Sequence, residues 1–275
     1  NSLVKEAKEL NRPSAILSFN PHPRQFFSRE LDQYQILSEE KKQLIFTELG
    51  IDHYFCLKFD ELLSNLSPVD FIKKIIVDQL KVEKLIVGYD FRFGKDRKGD
   101  TNLLLDHGKI HGFNLKTIEQ ITNPKTKTPY SSTDIRECIR TGEIEEANLL
   151  LGRPWSMQGK VIHGDKRARK MNFPTANILP HNEIYPLKGV YAVNIKFGDE
   201  VHKGIANFGI RPTVEGEKLL LEAHLFDFDR DIYGNYLTVE FLAFIRGEKK
   251  FETFDYLVEQ INKDIQIAKD YHLRK

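Results

Sequence analysis

The sequence has few of the features that mark secreted, metal-binding or membrane proteins. It contains 2 Cys, and these thiols, Cys56 and Cys138, are too far apart for paired metal ligands and lie in apolar runs. No apolar run approaches the ~20 residues that span a bilayer, and no secretory signal opens the chain. The net charge of +1 gives no general attraction to nucleic acid or membranes. We therefore expect a cytoplasmic protein with buried cysteines and no nucleic-acid, membrane or obligate protein partner.

The first half of the chain has the pattern of a parallel sheet covered by helices. Apolar strand-like runs alternate there with amphipathic helical segments. Ligands of such sheets bind beyond the carboxyl ends of the strands, so the segments that follow the strands are candidates for a site. The predicted strands are 14–19, 54–59, 84–89 and 115–121.

The second half has a different pattern, of short alternating strands with tight turns. Such a series, without helices between the strands, indicates a closed or partly closed antiparallel barrel. A final helical segment carries apolar residues at helical spacing and should pack on the barrel; these residues are Phe254, Leu257, Val258, Ile261 and Ile265. The predicted strands are 159–163, 189–197, 202–208, 219–226 and 236–245.

The stretch from Gly159 to Asn177 begins as a strand, passes through a basic loop and returns to an extended segment. In an extended chain Thr175 and Asn177 project to the same face. A hydroxyl and an amide oxygen side by side suit Mg²⁺, and the basic loop residues Lys166, Arg167, Arg169 and Lys170 would add charge for a polyphosphate. The alternative is a solvated basic loop followed by an ordinary strand.

Three hydroxyl residues, Ser131, Ser132 and Thr133, open a helical segment in which Arg136 lies about one turn further on. The exposed N–H groups and positive dipole end of a helix favour phosphate at this place. A plain Ser/Thr N-cap without a ligand is the alternative.

Further motifs occur in both halves of the chain. Those of the second half are Pro174-Thr175-Ala176-Asn177, Asn207 with Gly209 and Arg211-Pro212-Thr213, Glu222, and Arg246 with Glu248, Lys250 and Phe251. Those of the first half are Pro21-His22-Pro23, Gly88, Asp90 to Gly94, Arg97, Gly99-Asp100, Ser131 to Thr133, Ile135 and Arg136. Together these segments resemble the bacterial bifunctional riboflavin kinase/FAD synthetase family, and the resemblance covers nearly all of the chain. The basic loop that begins at Gly164, which we call the flap, departs from the family pattern at Ala168, where Gly is usual, and at Met171-Asn172, where Leu-Gly is common.

The resemblance implies a Rossmann-like nucleotidyltransferase domain at residues 1–152, and a Greek-key antiparallel β-barrel with a C-terminal helix at 153–275. It implies phosphorylation of riboflavin to FMN in the barrel and adenylylation of FMN to FAD in the first domain, with ATP as co-substrate and Mg²⁺ as cofactor. The family's His-x-Gly-His element has no counterpart here, and Asn1 is not an initiator Met, so we expect residues before it in the intact gene product. Without them, the chain would be a riboflavin kinase with an inactive front domain.

The resemblance also implies roles for individual residues. Glu222 would be the general base of the kinase, and the apolar residues on either side of it leave its own face opposite the core; without the resemblance it would read as a solvated strand Glu. Thr175 and Asn177 would hold the metal and ATP. The other implied ligands are Gly164, Lys166, Arg167 and Arg169 for phosphate; Asn207, Arg211 and Arg246 for flavin; and His22, Asp90, Phe91, Phe93, Ser131, Ser132, Thr133 and Arg136 for ATP and FMN in the first domain.

A different class of function is a barrel that binds single-stranded nucleic acid. Such a site needs a basic groove interleaved with stacking aromatic residues. The balanced charge of this chain speaks against it.

Overall fold

The computed structural model describes residues 2–28, 33–123, 128–162, 175–180, 183–213 and 216–274, with the backbone alone at 211–213 and 216–218. The chain forms two compact units. The first consists of Asn1–Asp32 and Glu39–Tyr130, and the second of Gln33–Ser38 and Ser131–Lys275. The second unit therefore includes residues that lie before the predicted domain boundary at 152, and that boundary stays a prediction.

The first unit contains parallel strand pairs flanked by helices. One pair is β1 (Ala15–Asn20) with β2 (His53–Lys58), and the other is β3 (Lys84–Gly88) with β4 (Asn114–Ile118). This confirms the predicted α/β pattern. The helices are α1 (Ser2–Glu9), α2 (Pro23–Phe27), α3 (Glu39–Glu48), α4 (Glu61–Ser64), α5 (Pro68–Phe71) with the π-helix Ile72–Gln79, and α6 (Thr101–His111), and a 3-10 turn spans Lys95–Arg97.

Polar side chains fix where the helices of the first unit begin and dock. Ser67 caps α5, with its Oγ accepting the Asp70 N–H at 3.1 Å and Pro68 at the first helical position. Glu6 of α1 accepts hydrogen bonds from Lys116 of β4 and Lys84 of β3, and these bonds lower the pKa of Glu6 to about 2. The charged groups thus tie α1 to the strands β3 and β4.

In the second unit, six strands among the described residues close into an antiparallel barrel, as predicted. Three consecutive hairpin-linked strands are followed by a fourth that returns beside the first of them, which is a Greek-key path. The strands are β5 (Trp155–Ile162), β6 (Ala176–Ile178), β7 (Gly189–Phe197), β8 (Glu200–Thr213), β9 (Gly216–Leu225) and β10 (Tyr236–Gly247), in the closed order β10-β5-β6-β9-β8-β7.

Alternation along the strands separates the barrel interior from an outer face, and the last helix, α9 (Phe254–Leu273), covers part of that outer face. Tyr191 points into the main core, whereas its neighbours Val190 and Ala192 pack against Ala268 of α9. The predicted packing face of α9 is correct only in part. Phe254, the first residue of the helix, is 61% exposed, whereas Asp264 and Ala268 are buried and Ile265 packs against the barrel.

Two further helices, α7 (Ser132–Thr141) and α8 (Ile144–Leu151), share the barrel core. A segment from much earlier in the sequence, Gln33–Ser38, also belongs to this unit, and we call it the strap. The buried Trp155 indole donates to the carbonyl oxygen of Ile36 at 2.8 Å, and the Ile184 N–H donates to Gln35 at 2.8 Å. The barrel unit is therefore assembled from distant parts of the chain.

The two cysteines differ in their environment. Cys138 is buried, as predicted, but the predicted burial of Cys56 is wrong, because this thiol is exposed. Leu57 packs against the core of the first unit, and Cys56 beside it in β2 projects to the other face. Within the described ranges, no helix is long and apolar enough to cross a membrane.

Candidate active site

Glu222 lies on the outer face of the barrel between two asparagines. In the strand register it pairs directly with Asn177 of β6 on one side and with Asn207 of β8 on the other. Directly paired residues of antiparallel strands project to the same face, with Cβ atoms about 4.5–5.5 Å apart. Leu221 and Ala223 belong to the barrel core, so Glu222 faces away from it. We call these three polar residues the Glu222 row.

The metal ligands predicted from the sequence lie at one end of this row. Asn177 is 8% exposed and projects outward, since Ala176 and Ile178 on either side are core residues. Thr175 immediately precedes β6 and is half-buried. An amide oxygen beside a carboxylate, with a hydroxyl two residues away, is a set of hard oxygen donors of the kind that Mg²⁺ prefers. The described residues therefore fit a magnesium ion.

The structure describes the remaining predicted kinase residues to different extents. Arg246 continues the row, because Asn207 pairs with Val190 of β7 and Val190 pairs with Arg246 of β10. The backbone of Arg211 lies in β8 opposite Lys218, and its side chain is outside the described part of the structure. The phosphate-binding residues predicted in the flap lie outside the described residues: Gly164, Lys166, Arg167 and Arg169.

Two contacts near Arg246 were not foreseen from the sequence. Arg246 forms a bidentate ion pair with Asp264 of α9, which is 2% exposed. The Glu248 side chain lies against Gly209, and its Oε1 fills the space that a Cβ at position 209 would need. The signal for the first contact was a carboxylate between Ile261 and Ile265 in the apolar stripe of α9.

At the amino end of α7, Ser131 is an N-cap. Its Oγ accepts the backbone N–H groups of Thr133 at 3.1 Å and Asp134 at 3.4 Å. Ser132 and Thr133 are exposed in the first turn. The capping role that the sequence left open is thus present, and the predicted binding of phosphate by these residues stays a prediction.

Arg136 is buried, with 8% of its surface exposed. Its guanidinium carbon lies 3.7 Å from the centre of the Tyr34 ring, Nε donates to the Tyr34 carbonyl at 2.8 Å, and Nη1 donates to Ser132 at 2.9 Å. The side chain therefore joins α7 to the strap. Its predicted role in binding ATP is not shown by these contacts.

The other predicted adenylyltransferase residues lie in the first unit, after the strands β1 and β3. His22 caps α2, where its Nδ1 accepts the Arg24 N–H at 3.2 Å. Phe93 is 7% exposed and belongs to the core, and Phe91 stacks on it with ring centres 5.5 Å apart. Asp90 is exposed. Each residue thus has a local structural environment, and its part in ligand binding stays a prediction.

An exposed aromatic ring near His22 was not singled out from the sequence. Phe27 is 70% exposed and contacts Phe59, which follows β2, with ring centres 5.9 Å apart. Phe59 in turn contacts Phe19 at the end of β1 at 5.7 Å. A flat ring at the carboxyl edge of the strands is able to stack on a planar heterocycle.

Comparisons with known proteins identify the class of enzyme to which the chain belongs. A family model described as FAD synthetase matches residues 1–134, and one described as riboflavin kinase matches residues 151–272. The two matches together define a flavin-nucleotide enzyme with a transferase at each end of the chain.

Curated relatives that match nearly the whole chain have both activities in their names. The bifunctional riboflavin kinase/FMN adenylyltransferase of Haemophilus influenzae is 38% identical over 270 residues, covering 98% of this chain and 87% of the relative. The enzyme of the same name from Escherichia coli K12 is 34% identical, covering 98% and 86%. The chain belongs to the bifunctional riboflavin kinase/FMN adenylyltransferase family.

A solved structure supports the fold along almost the whole chain. A crystal structure described as a macrolide-efflux protein from Streptococcus pneumoniae aligns with a TM-score of 0.85 at 28% identity, covering 97% of this chain and 86% of that one.

Proposed function

We propose that this chain phosphorylates riboflavin to FMN in the barrel and adenylylates FMN to FAD with its amino-terminal part, using ATP in both steps. The observation that carries the kinase proposal is the position of Glu222 between Asn177 and Asn207 on the outer face of the barrel. Family membership supports both activities. A cytoplasmic location stays a prediction.

In the kinase step, Glu222 is proposed to act as general base. The 5′-hydroxyl oxygen of riboflavin bonds to the γ-phosphorus of ATP, the bond from that phosphorus to the β,γ-bridging oxygen breaks, and ADP leaves. Glu222 takes the hydroxyl proton as the oxygen attacks. Glu222 is half-buried and lies on a strand rather than a loop, so the direction of its side chain is fixed by the sheet.

Thr175 and Asn177 are proposed to hold Mg²⁺ next to this base. When bound, the ion would offset the negative charge of the transferred phosphoryl group. Asn177 is directly paired with Glu222, so the proposed metal ligand and the proposed base lie on the same face. The basic flap is proposed to cover the phosphates, and Asn207, Arg211 and Arg246 to hold the flavin.

In the adenylyltransferase step, the first turn of α7 is proposed to bind ATP phosphates through its N–H groups and the exposed Ser132 and Thr133 hydroxyls. Arg136 is proposed to contribute charge beneath this turn. His22, Asp90, Phe91 and Phe93 are proposed to line the nucleotide and flavin region, and the exposed Phe27 ring is a candidate stacking surface.

The first test separates the two activities. Incubation of the chain with riboflavin, excess ATP and Mg²⁺, followed by chromatography of the flavins, should yield FMN and FAD. FMN alone would contradict the proposal for the amino-terminal part of this chain. Unchanged riboflavin from folded protein would contradict the proposal for the barrel.

The second test concerns the base. Glu222→Gln keeps the size of the side chain but removes its basicity, so riboflavin turnover should fall by roughly 10²–10⁴-fold. Riboflavin binding, followed by flavin fluorescence, should be largely kept. A matched control is Glu259→Gln, which removes an exposed carboxylate paired with Lys263 on α9. Near-normal turnover of Glu222→Gln would rule out the assignment of the base.

A further inference from the structure

The end of β10 is joined to α9 by a buried ion pair. Arg246 Nε lies 3.0 Å from each carboxylate oxygen of Asp264, and Nη2 donates to Oδ2 at 2.7 Å. Gln260, one turn earlier on α9, donates to Asp264 Oδ1 at 2.9 Å. Asp264 is 2% exposed, and a buried carboxylate is tolerated when it is paired and hydrogen-bonded in this way.

Docking of α9 does not depend on this ion pair alone. Ala268 and Ile265 pack on the outward side of β7 and β8, and the Tyr271 hydroxyl contacts the Leu242 carbonyl oxygen at 3.3 Å. A buried ion pair is often no more stabilising than apolar residues of similar volume. The charged pair is therefore an additional feature, and it lies at the strand end that carries Arg246.

Arg246 and the residues after it reach toward the Glu222 row. Arg246 is in register with Val190, which is in register with Asn207. Two residues further on, Glu248 packs its Oε1 against Gly209, in the space that a Cβ at position 209 would fill, and Asn207 Nδ2 lies 3.7 Å from that space. The segment from Arg246 to Glu248 thus borders the Asn207 end of the row.

The ion pair also fixes the direction of the guanidinium. An arginine side chain has five N–H donors. The single N–H on Nε and one N–H on Nη2 bind Asp264. One N–H on Nη1 donates to the Gly247 carbonyl oxygen at 2.9 Å. Within the described part of the chain this leaves two N–H groups of Arg246 for a ligand.

We propose that Asp264 is a positioning residue for the riboflavin side of the kinase site: it orients Arg246 and, through it, the segment that places Glu248 against Gly209 beside Asn207. This inference rests on the proposed kinase function of the barrel. A carboxylate on the last helix would then control how riboflavin is held, without touching the reacting atoms.

The test is Asp264→Asn, which keeps the shape of the side chain and removes the charge that holds Arg246. The KM for riboflavin and its dissociation constant from flavin fluorescence should rise by roughly 10-fold to 10²-fold, as misplacement of a binding group does. The KM for ATP and adenylylation of added FMN should stay near the wild-type values. Asp270→Asn is the matched control, because Asp270 accepts from Gln266 at 2.7 Å in the same i, i+4 arrangement on the same helix.

Arg246→Lys is a second variant that tests the same ion pair, and it can be measured even if Asp264→Asn does not fold. Lysine keeps the charge but lacks the planar fork, so the same rise in riboflavin KM is expected. Unchanged riboflavin affinity in either folded variant, with or without a lower melting temperature, would overturn the inference and leave a structural ion pair. Wild-type protein that forms no FMN would instead refute the proposed function itself.

Discussion

The barrel unit and the first unit position their candidate site residues in different ways. In the barrel, Asn177, Glu222 and Asn207 come from separate strands and are brought together by register. In the first unit, the cap made by His22 on a short helix and the stacking of Phe91 on Phe93 each join near neighbours in sequence. A sheet register can thus assemble a site from distant motifs, whereas residues in strand-to-helix loops also have local structural roles that a mutation would disturb.

The largest effects on stability should appear when a large side chain is removed from the core of either unit. Phe208→Ala in the barrel core should lower the free energy of unfolding by about 3–5 kcal/mol, and Leu104→Ala in the core of the first unit by about 2–5 kcal/mol. The single tryptophan, Trp155, is fully buried in the barrel core and reports on that unit alone. If the units unfold independently, only Phe208→Ala will shift the denaturant midpoint of tryptophan fluorescence. A shift with Leu104→Ala would show that the units unfold together.

A mutation in the strap should have the next largest effect on stability. Tyr34→Ala removes the ring beneath the buried Arg136 guanidinium, so the barrel unit should lose about 2 kcal/mol of stability. Tyr34→Phe keeps the ring and is the control. Denaturant unfolding followed by Trp155 fluorescence checks this, since Trp155 itself donates to the strap at Ile36. An unchanged midpoint in Tyr34→Ala would mean that the strap adds nothing to the barrel.

Capping and phosphate binding at α7 can be separated at Ser131. Ser131→Ala should cost about 1 kcal/mol by loss of the N-cap. Ser131→Asp keeps a capping oxygen but adds negative charge, so it should restore stability while weakening ATP use in FAD formation. Thermal unfolding and the rate of FAD formation from FMN, measured on both variants, provide the check. Wild-type FAD formation in Ser131→Asp would indicate a cap without a phosphate site.

The smallest effect should be a pH dependence in the first unit. Hydrogen bonds from Lys116 and Lys84 lower the pKa of Glu6 from its ordinary value of 4.5 to about 2. Because the folded-state pKa is the lower one, the stabilisation is complete above about pH 4.5 and is lost as the pH falls toward 2. Glu6→Gln should therefore flatten the acid limb of a stability profile measured by circular dichroism. An identical acid limb in both proteins would exclude this contribution.

Much of the architecture could be predicted from local patterns. Alternating strands and helices in one half and short strands in the other have different periodicities, and both predictions are confirmed by the structure and the family matches. Cys56 shows the limit of this approach. Its apolar neighbours predicted burial, but the side of a strand that faces a core is set by what packs there, and Cys56 lies on the exposed side.

The sequence by itself determined the strand and helix pattern, the family, and the outward direction of Glu222 between two core residues, because these follow from periodicity and motifs within a few residues. Only the tertiary structure decided that Glu222 pairs with Asn177 and Asn207, that the strap joins the barrel, and that Asp264 holds Arg246. The physical reason is that register and long-range packing depend on which distant segments meet, and a local pattern leaves that open.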